Sequence, residues 1–363
     1  MYRDDFLNKK LNERKDNNSF RELRLPDGKV DFCSNDYLGV VKNHKLQTTN
    51  HKLATGSTGS RLLSGNYLFI EDVEKQIAAF HQSASALLFN SGYDANIGLL
   101  SSVPQKGDTI LYDQLCHASI RDGIRLSFAT AFSFAHNDIG DLKKKMEHAT
   151  GTIFIVTESV FSMDGDLCPL TELVSIAQEN TAHLIVDEAH ATGIVGEHGE
   201  GLVQQLQIQE YVFARVHTFG KACGCHGAVV LGSHSLHDYL INFARSFVFS
   251  TSLPEHSVAC IKASYEIFPG MHSERIHLQE LIAQFQSASI RFEKLPSVTP
   301  IQVVIIPGNE EVKKVAAQLQ EQGLDVRAIL YPTVPKDKER LRIVLHSFNT
   351  FEELDQLITF LRK

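Results

Sequence analysis

The sequence predicts an α/β fold: a mostly parallel central sheet flanked by helices, an N-terminal helical segment before it and a small α+β C-terminal domain after it. Three observations carry this expectation. Short apolar runs recur as far as about Thr251, namely ALLFN, TILYD, TIFIVTE, HLIVDEAH, VHTFG and GAVVLGS, and continuous rather than alternating runs suit strands buried on both faces. The segments between them are long enough to be helices or mixed connections, as parallel strands require. Beyond Thr251 the texture changes to long helical stretches around 258–267 and 274–292, followed by a short mixed tail.

The elements follow in order. Phe6, Leu7 and Leu11 stand about one turn apart and predict an amphipathic helix. A turn at Pro26-Asp27-Gly28 leads into a strand, VDFCS, and a loop from Asn35 to Gly39. The loop GSTGSRLLSG precedes a helix with apolar positions at Ile70, Val73, Ile77 and Phe80. The tail reads strand (QVVII), helix (EEVKKVAAQLQEQG, closed by Gly323), strand (VRAIL), strand (RLRIVLH) and helix (FEELDQLITFLRK). The expected organisation is an N-terminal segment over 1–45, a large domain over 46–270 and a small domain over 271–363.

Composition removes several function classes. With 363 residues, 43% hydrophobic and 21% charged, the chain has enough apolar surface for a large core and is ordinary for a globular protein. A net charge of −8 and the lack of a long basic run give no reason to expect nucleic acid. The opening MYRDDFLNKKLNERKD is charged throughout, so neither a secretory signal nor a membrane span is expected there. Cys33, Cys116, Cys168, Cys223, Cys225 and Cys260 lack C-x-x-C spacing, so free thiols in a reducing cytoplasm are expected and no metal site.

Four features of the large domain converge on one chemistry. Asn90-Ser91-Gly92-Tyr93 lies between a strand and a helix, where backbone N–H groups bind phosphate. Asp187-Glu188-Ala189-His190 follows the buried run HLIV, at a strand end where α/β proteins bind ligands. The same letters occur in nucleotide-dependent helicases, but no G-x-x-x-x-G-K-[ST] is present, and neither is H-E-x-x-H. Thr218-Phe219-Gly220-Lys221 again follows a strand, and the small residues Ala222, Cys223 and Gly224 behind it can admit a ligand. A desolvated lysine there can act as a Schiff-base nucleophile. His117 follows another strand; a lone histidine is more often structural, and its place at a strand end raises its interest.

A phosphate loop, His, Asp-x-x-His and Gly-Lys in that order resemble the fold type I pyridoxal-phosphate enzymes. More narrowly the chain resembles the α-oxoamine synthases, which condense an amino acid with an acyl thioester and release carbon dioxide. The matching segments are SNDYLG, GSTGSRLLSG, FNSGYDAN, the His117 segment, AHND at Ala135–Asp138, TESVFSMDGD, DEAHATGIVG, TFGKACG, FSTSLP and PTVP. They run in family order from Asn35 to Pro335. DEAHATG and TFGKACGCHGAVV resemble the branch that makes 8-amino-7-oxononanoate from L-alanine and a pimeloyl thioester in biotin synthesis.

The resemblance implies a role for each matching residue. Lys221 would hold pyridoxal 5'-phosphate as a Schiff base and then remove the amino acid's α-proton. Asp187 would pair with the pyridinium nitrogen, His190 with the phenolic oxygen, and His117 would stack on the ring, with Ser162 beside it. Gly92, Tyr93 and Thr218 would hold the phosphate, and Thr251 would reach it from the second subunit of a homodimer. Arg342 would bind the substrate carboxylate, with Asn35, Thr333 and Arg21 as further substrate contacts.

Ile70 and Leu330-Tyr331 depart from the family pattern, which has His and Arg-Pro there in many members, so the acyl substrate is the least defined part. The thiol carrier, coenzyme A or an acyl carrier protein, is left open. Glycine- and serine-using members of the family are the alternatives; an aminotransferase matches fewer segments. The intact Lys221, Asp187 and His117 argue against a non-catalytic cofactor-binding protein. A nicotinamide enzyme would need G-x-G-x-x-G, which is missing.

Overall fold

In a computed structural model of the chain, residues 7–23, 28–43, 46 and 53–363 are described. Phe6 and the Pro26-Asp27 pair of the expected turn lie outside these residues. The strands in chain order are β1 (Val30–Asp31), β2 (Ser85–Phe89), β3 (Thr109–Asp113), β4 (Thr130–Phe134), β5 (Ile153–Glu158), β6 (His183–Asp187), β7 (Val212–Thr218), β8 (Ala228–Gly232), β9 (Glu293–Lys294), β10 (Ile301–Ile305), β11 (Leu324–Asp325), β12 (Arg327–Ile329) and β13 (Arg340–Val344). The chain forms two compact units. One comprises Asp36–Ser162 and Leu167–Arg275; the other comprises the described part of Met1–Asn35 with Met163–Asp166 and Ile276–Lys363.

The first unit is built on a seven-stranded sheet in the order β2-β8-β7-β6-β5-β3-β4. Neighbours from β7 to β4 pair in parallel. β8 is antiparallel to both β7 and β2, so β2 runs in the same direction as β7. The C-terminal ends of β2, β3, β5, β6 and β7 therefore share one edge, and the loops leaving that edge carry the motif residues.

Each predicted apolar run is a strand of this sheet, and the packing shows why the runs are continuous. Ile110, Val156 and Ile185 belong to one core, while their chain neighbours Leu111, Ile155, Leu184 and Val186 belong to the core on the opposite face. Alternate side chains point to opposite faces, so a strand covered on both sides has no polar position to interrupt it. β4 has no such run. It stands at one edge of the sheet, and Phe134 is its one buried residue.

In the second unit a four-stranded antiparallel sheet, β12-β13-β10-β9, packs with the helices Asn309–Glu321 and Phe351–Arg362. Gly323, with φ of +80°, follows the first of these helices in the left-handed conformation that glycine adopts freely. β1 pairs in parallel with β11, Val30 opposite Leu324. The expected strand VDFCS is only these two residues long, because the Asp31 carboxylate accepts the N–H groups of Cys33 and Ser34 at 2.8 Å each and turns the chain. Of the expected apolar positions the helix Asn8–Asp16 holds only Leu11, with Leu7 just before it; both are exposed and no residue of the helix is buried. Among the described residues no helix is long and apolar enough to cross a membrane.

Candidate active site

Four strand ends of the large unit deliver the central residues. Asp187 is the last residue of β6, and His190 stands in the turn just beyond it; both side chains are buried. Lys221 follows β7, and its Nζ lies 2.9 Å from Nε2 of His190. The other ring nitrogen of His190 lies 2.6 Å from the hydroxyl of Tyr37, which is fully buried. Lysine, histidine and tyrosine thus form one line of contacts.

A second line joins Asp187 to His117. One oxygen of Asp187 accepts the side-chain N–H of Asn96 at 2.7 Å, and the other accepts the backbone N–H of Ala189 at 2.9 Å. The Asn96 amide also meets the hydroxyl of Ser119 at 3.0 Å, and that hydroxyl lies 2.8 Å from Nδ1 of His117. The backbone N–H of Ser119 donates to the same Nδ1 at 3.2 Å. A ring nitrogen that accepts from an N–H carries no proton, so the His117 ring is neutral. Burial, opposed by Asp187, also lowers its proton affinity.

The phosphate candidates meet at the start of the helix Gly92–Ser102. Ser91 caps it, its hydroxyl accepting the Asp94 N–H at 3.0 Å. The next N–H groups, from Gly92 and Tyr93, have no acceptor within the helix. A Cβ on Gly92 would sit 3.4 Å from both Cβ and Oγ1 of Thr218, so glycine leaves this space open beside the threonine hydroxyl. The Tyr93 side chain instead turns outward, and its hydroxyl donates to Asp122 at 2.5 Å. That hydrogen bond raises the Tyr93 phenol above its usual range. Ser162 is buried in the loop after β5. Thr251 is exposed in the chain, and Asn90 holds its carbonyl at 2.9 Å.

The small residues after Lys221 do not leave room for a ligand as expected. Ala222 and Cys223 are buried, and the Gly224 N–H closes a turn on the Lys221 carbonyl at 2.8 Å. A Cβ on Gly224 would sit 2.7 Å from the Val41 nitrogen, so Gly224 is small because backbone packs against it. None of the six cysteines is in a disulfide, and burial first of all pushes the Cys225 thiol up to about 12, which keeps it protonated.

In the second unit the four expected substrate residues form two pairs. Arg342, buried on β13, donates to Asn35 Oδ1 at 3.0 Å. Arg21 donates to Thr333 Oγ1 at 3.3 Å on the surface.

Sequence reasoning passed over Tyr37, Asn96, Ser119 and Glu158. All four lie inside segments already singled out: SNDYLG, FNSGYDAN, the His117 segment and TESVFSMDGD. Asn96 stands one helical turn after Gly92, so the helix that opens with the phosphate candidates also points an amide at Asp187. Glu158 ends β5, 2% exposed, and accepts the His117 backbone N–H at 2.5 Å.

Residues 27–361 match the model of the aminotransferase class I and II family. The 8-amino-7-oxononanoate synthase of Emericella nidulans is 41% identical over 389 residues, spanning 98% of this chain and 94% of its own length. Of the solved structures, the 8-amino-7-oxononanoate synthase of Francisella tularensis is 28% identical, with a TM-score of 0.78 and coverage of 93% of this chain and 98% of its own. The serine palmitoyltransferase of Sphingomonas wittichii is 29% identical, with a TM-score of 0.87 and coverage of 92% and 86%.

Proposed function

The chain belongs to the aminotransferase class I and II family, and we propose that it condenses L-alanine with a pimeloyl thioester, releasing carbon dioxide and the free thiol carrier and forming 8-amino-7-oxononanoate for biotin synthesis. It is an enzyme, a pyridoxal-phosphate-dependent C-acyltransferase of the α-oxoamine synthase type. The observation that carries the reading is the meeting of Lys221 with His190 at 2.9 Å, on the sheet edge where Asn96 and Ser119 link Asp187 to His117.

The residues present fit the cofactor. The helix start at Gly92, open beside Thr218, suits a phosphate. The buried Asp187 suits a protonated ring nitrogen, and the neutral imidazole of His117 suits a ring face. Bound there, pyridoxal phosphate supplies an electron sink for carbanion chemistry next to the amino group.

The chain's own residues would then divide the work. Gly92, Tyr93 and Thr218 would hold the phosphate, with Thr251 supplied by the other subunit of a cytoplasmic homodimer. Asp187 would keep the ring nitrogen protonated, His190 would hydrogen-bond the phenolic oxygen, and Ser162 would stand beside the ring. Lys221 Nζ would take the α-proton of the amino acid and later return it, acting as general base and then general acid. Arg342, held by Asn35, would bind the substrate carboxylate as a charge-assisted pair. Arg21 and Thr333 would add a weaker substrate contact. Coenzyme A and an acyl carrier protein serve equally well as the thiol carrier in this scheme.

Absorbance titration of the holoenzyme with L-alanine, glycine and L-serine separately tests the reading. The expected result is a visible cofactor band, lost in Lys221→Ala and perturbed at the lowest concentration by L-alanine. A tighter response to glycine or L-serine would move the protein to another branch of the family. A folded protein with no band after added pyridoxal phosphate would sink the proposal.

A further inference from the structure

Three neighbouring strands of the large sheet end in buried carboxylates: Asp187 on β6, Glu158 on β5 and Asp113 on β3. Two of them have partners that suit a negative charge. Asp187 receives the Asn96 amide and the Ala189 N–H. Asp113 receives the Leu115 and Asn137 N–H groups at 2.8 and 2.9 Å and has Nδ1 of His136 3.1 Å from either oxygen.

Glu158 ends the strand that lies between theirs. It pairs in register with Asp187 across β5 and β6, so the two side chains leave the same face of strands about 4.8 Å apart. Two carboxylates buried this close do not both ionise without a large cost, and the proton goes to the one whose charge is less well solvated. One Glu158 oxygen accepts the His117 N–H at 2.5 Å, and that N–H opens the helix Ala118–Leu126, which carries Ser119.

We infer that Glu158 is a positioning residue with two effects: it carries a proton so that Asp187 keeps its charge, and it anchors the backbone of His117 so that the imidazole is held in place. The first effect rests on the role proposed for Asp187; the second rests on the hydrogen bond alone. Burial, and after it Asp187, pushes the Glu158 carboxyl up to about 8, while Lys221 and the His117 N–H pull the other way. The charged and titratable groups facing it are Asp187, Lys221, Asp113 and the thiol of Cys116.

The test compares holoenzymes of the wild type, Glu158→Gln and Glu158→Ala. Two quantities are read: the dissociation constant for pyridoxal phosphate and the cofactor absorbance as a function of pH. Glutamine keeps an acceptor for His117 and cannot ionise, so it is expected to hold the cofactor within about threefold of wild type. It should also lose an alkaline spectral transition that the wild type shows. Alanine leaves a buried N–H unsatisfied and is expected to weaken cofactor binding about tenfold or more. Glutamine binding as weakly as alanine, or an alkaline transition unchanged in Glu158→Gln, would overturn the inference. If the alanine variant does not fold, the pH comparison of wild type with Glu158→Gln still decides. A wild type without a cofactor band would remove the proposed function and the Asp187 half of this inference together. Failure of the variants beside a normal wild type removes the inference alone.

Discussion

Several buried ionisable side chains of this chain are held in their neutral forms, and this links its stability to pH. Glu188 is fully buried, and burial first pushes its carboxyl from 4.5 up to about 7, against the pull of Arg215. With the folded value above the unfolded one, the unfolded chain loses its proton first, so stability falls as pH rises through this window. Glu158 extends the fall towards about 8. His81 and His217 act in the opposite sense: burial pushes both well below 6.5, so the unfolded state binds more protons and stability falls as pH drops below 6.5. Above 6.5 the histidine contribution fades within about one pH unit, and the loss from the two carboxyls is the larger effect. Chemical denaturation should therefore show wild type losing stability between pH 6.5 and about 8, and Glu188→Gln losing less by roughly 1 kcal/mol. Equal losses in the two proteins would mean that Glu188 is ionised throughout. None of these shifts is legible in the sequence, because the letters D-E-A-H do not say which carboxyl is buried without a strong donor. The strand-end placement of Asp187, His190, Lys221 and His117 was legible, since each follows an apolar run. Asn96 and Tyr37 were not, because their roles depend on which helix and which turn pack against that strand edge.

The element that decides the geometry of the site is the turn behind β7. Gly224 has φ of +63° and closes the turn on the Lys221 carbonyl, with the Val41 nitrogen 2.7 Å from where a Cβ would be. Gly224→Ala combines a left-handed backbone with a steric clash and is expected to cost about 2–3 kcal/mol of stability. It should also weaken cofactor binding, because Lys221 shares the turn. Thermal unfolding and a cofactor titration check both effects, and an unchanged melting curve would mean that the turn relaxes freely. At this scale the buried strands were the most legible elements, because coverage on both faces leaves an uninterrupted apolar run. β4 escaped notice because Phe134 is its one buried residue, which leaves no continuous apolar run. The strand expected at VDFCS shrank to Val30–Asp31 because the Asp31 side chain competes for the next two backbone donors.

At the scale of the whole molecule, the linear order of segments differs from their grouping in space. β1 pairs with β11, and the Val344 N–H donates to the Phe32 carbonyl, so the described residues before Asp36 cluster with the C-terminal part of the chain. That pairing spans almost the full sequence and has no local signature, which is why a division read along the chain treated the N-terminal segment as separate. The order of the site motifs along the chain, by contrast, was legible, and the large sheet brings their strands to a common edge. The exposed Leu7 and Leu11 and the exposed Thr251 fit the proposed homodimer, in which one chain contributes Thr251 to the site of the other. Lys221 is the residue proposed to bind the cofactor. The most direct test is borohydride reduction of the holoenzyme followed by peptide mapping for the pyridoxyl group. A single modified residue, Lys221, is expected, with no incorporation in Lys221→Ala; a pyridoxyl group on another lysine of the reduced wild type, with Lys221 unmodified, would overturn the assignment.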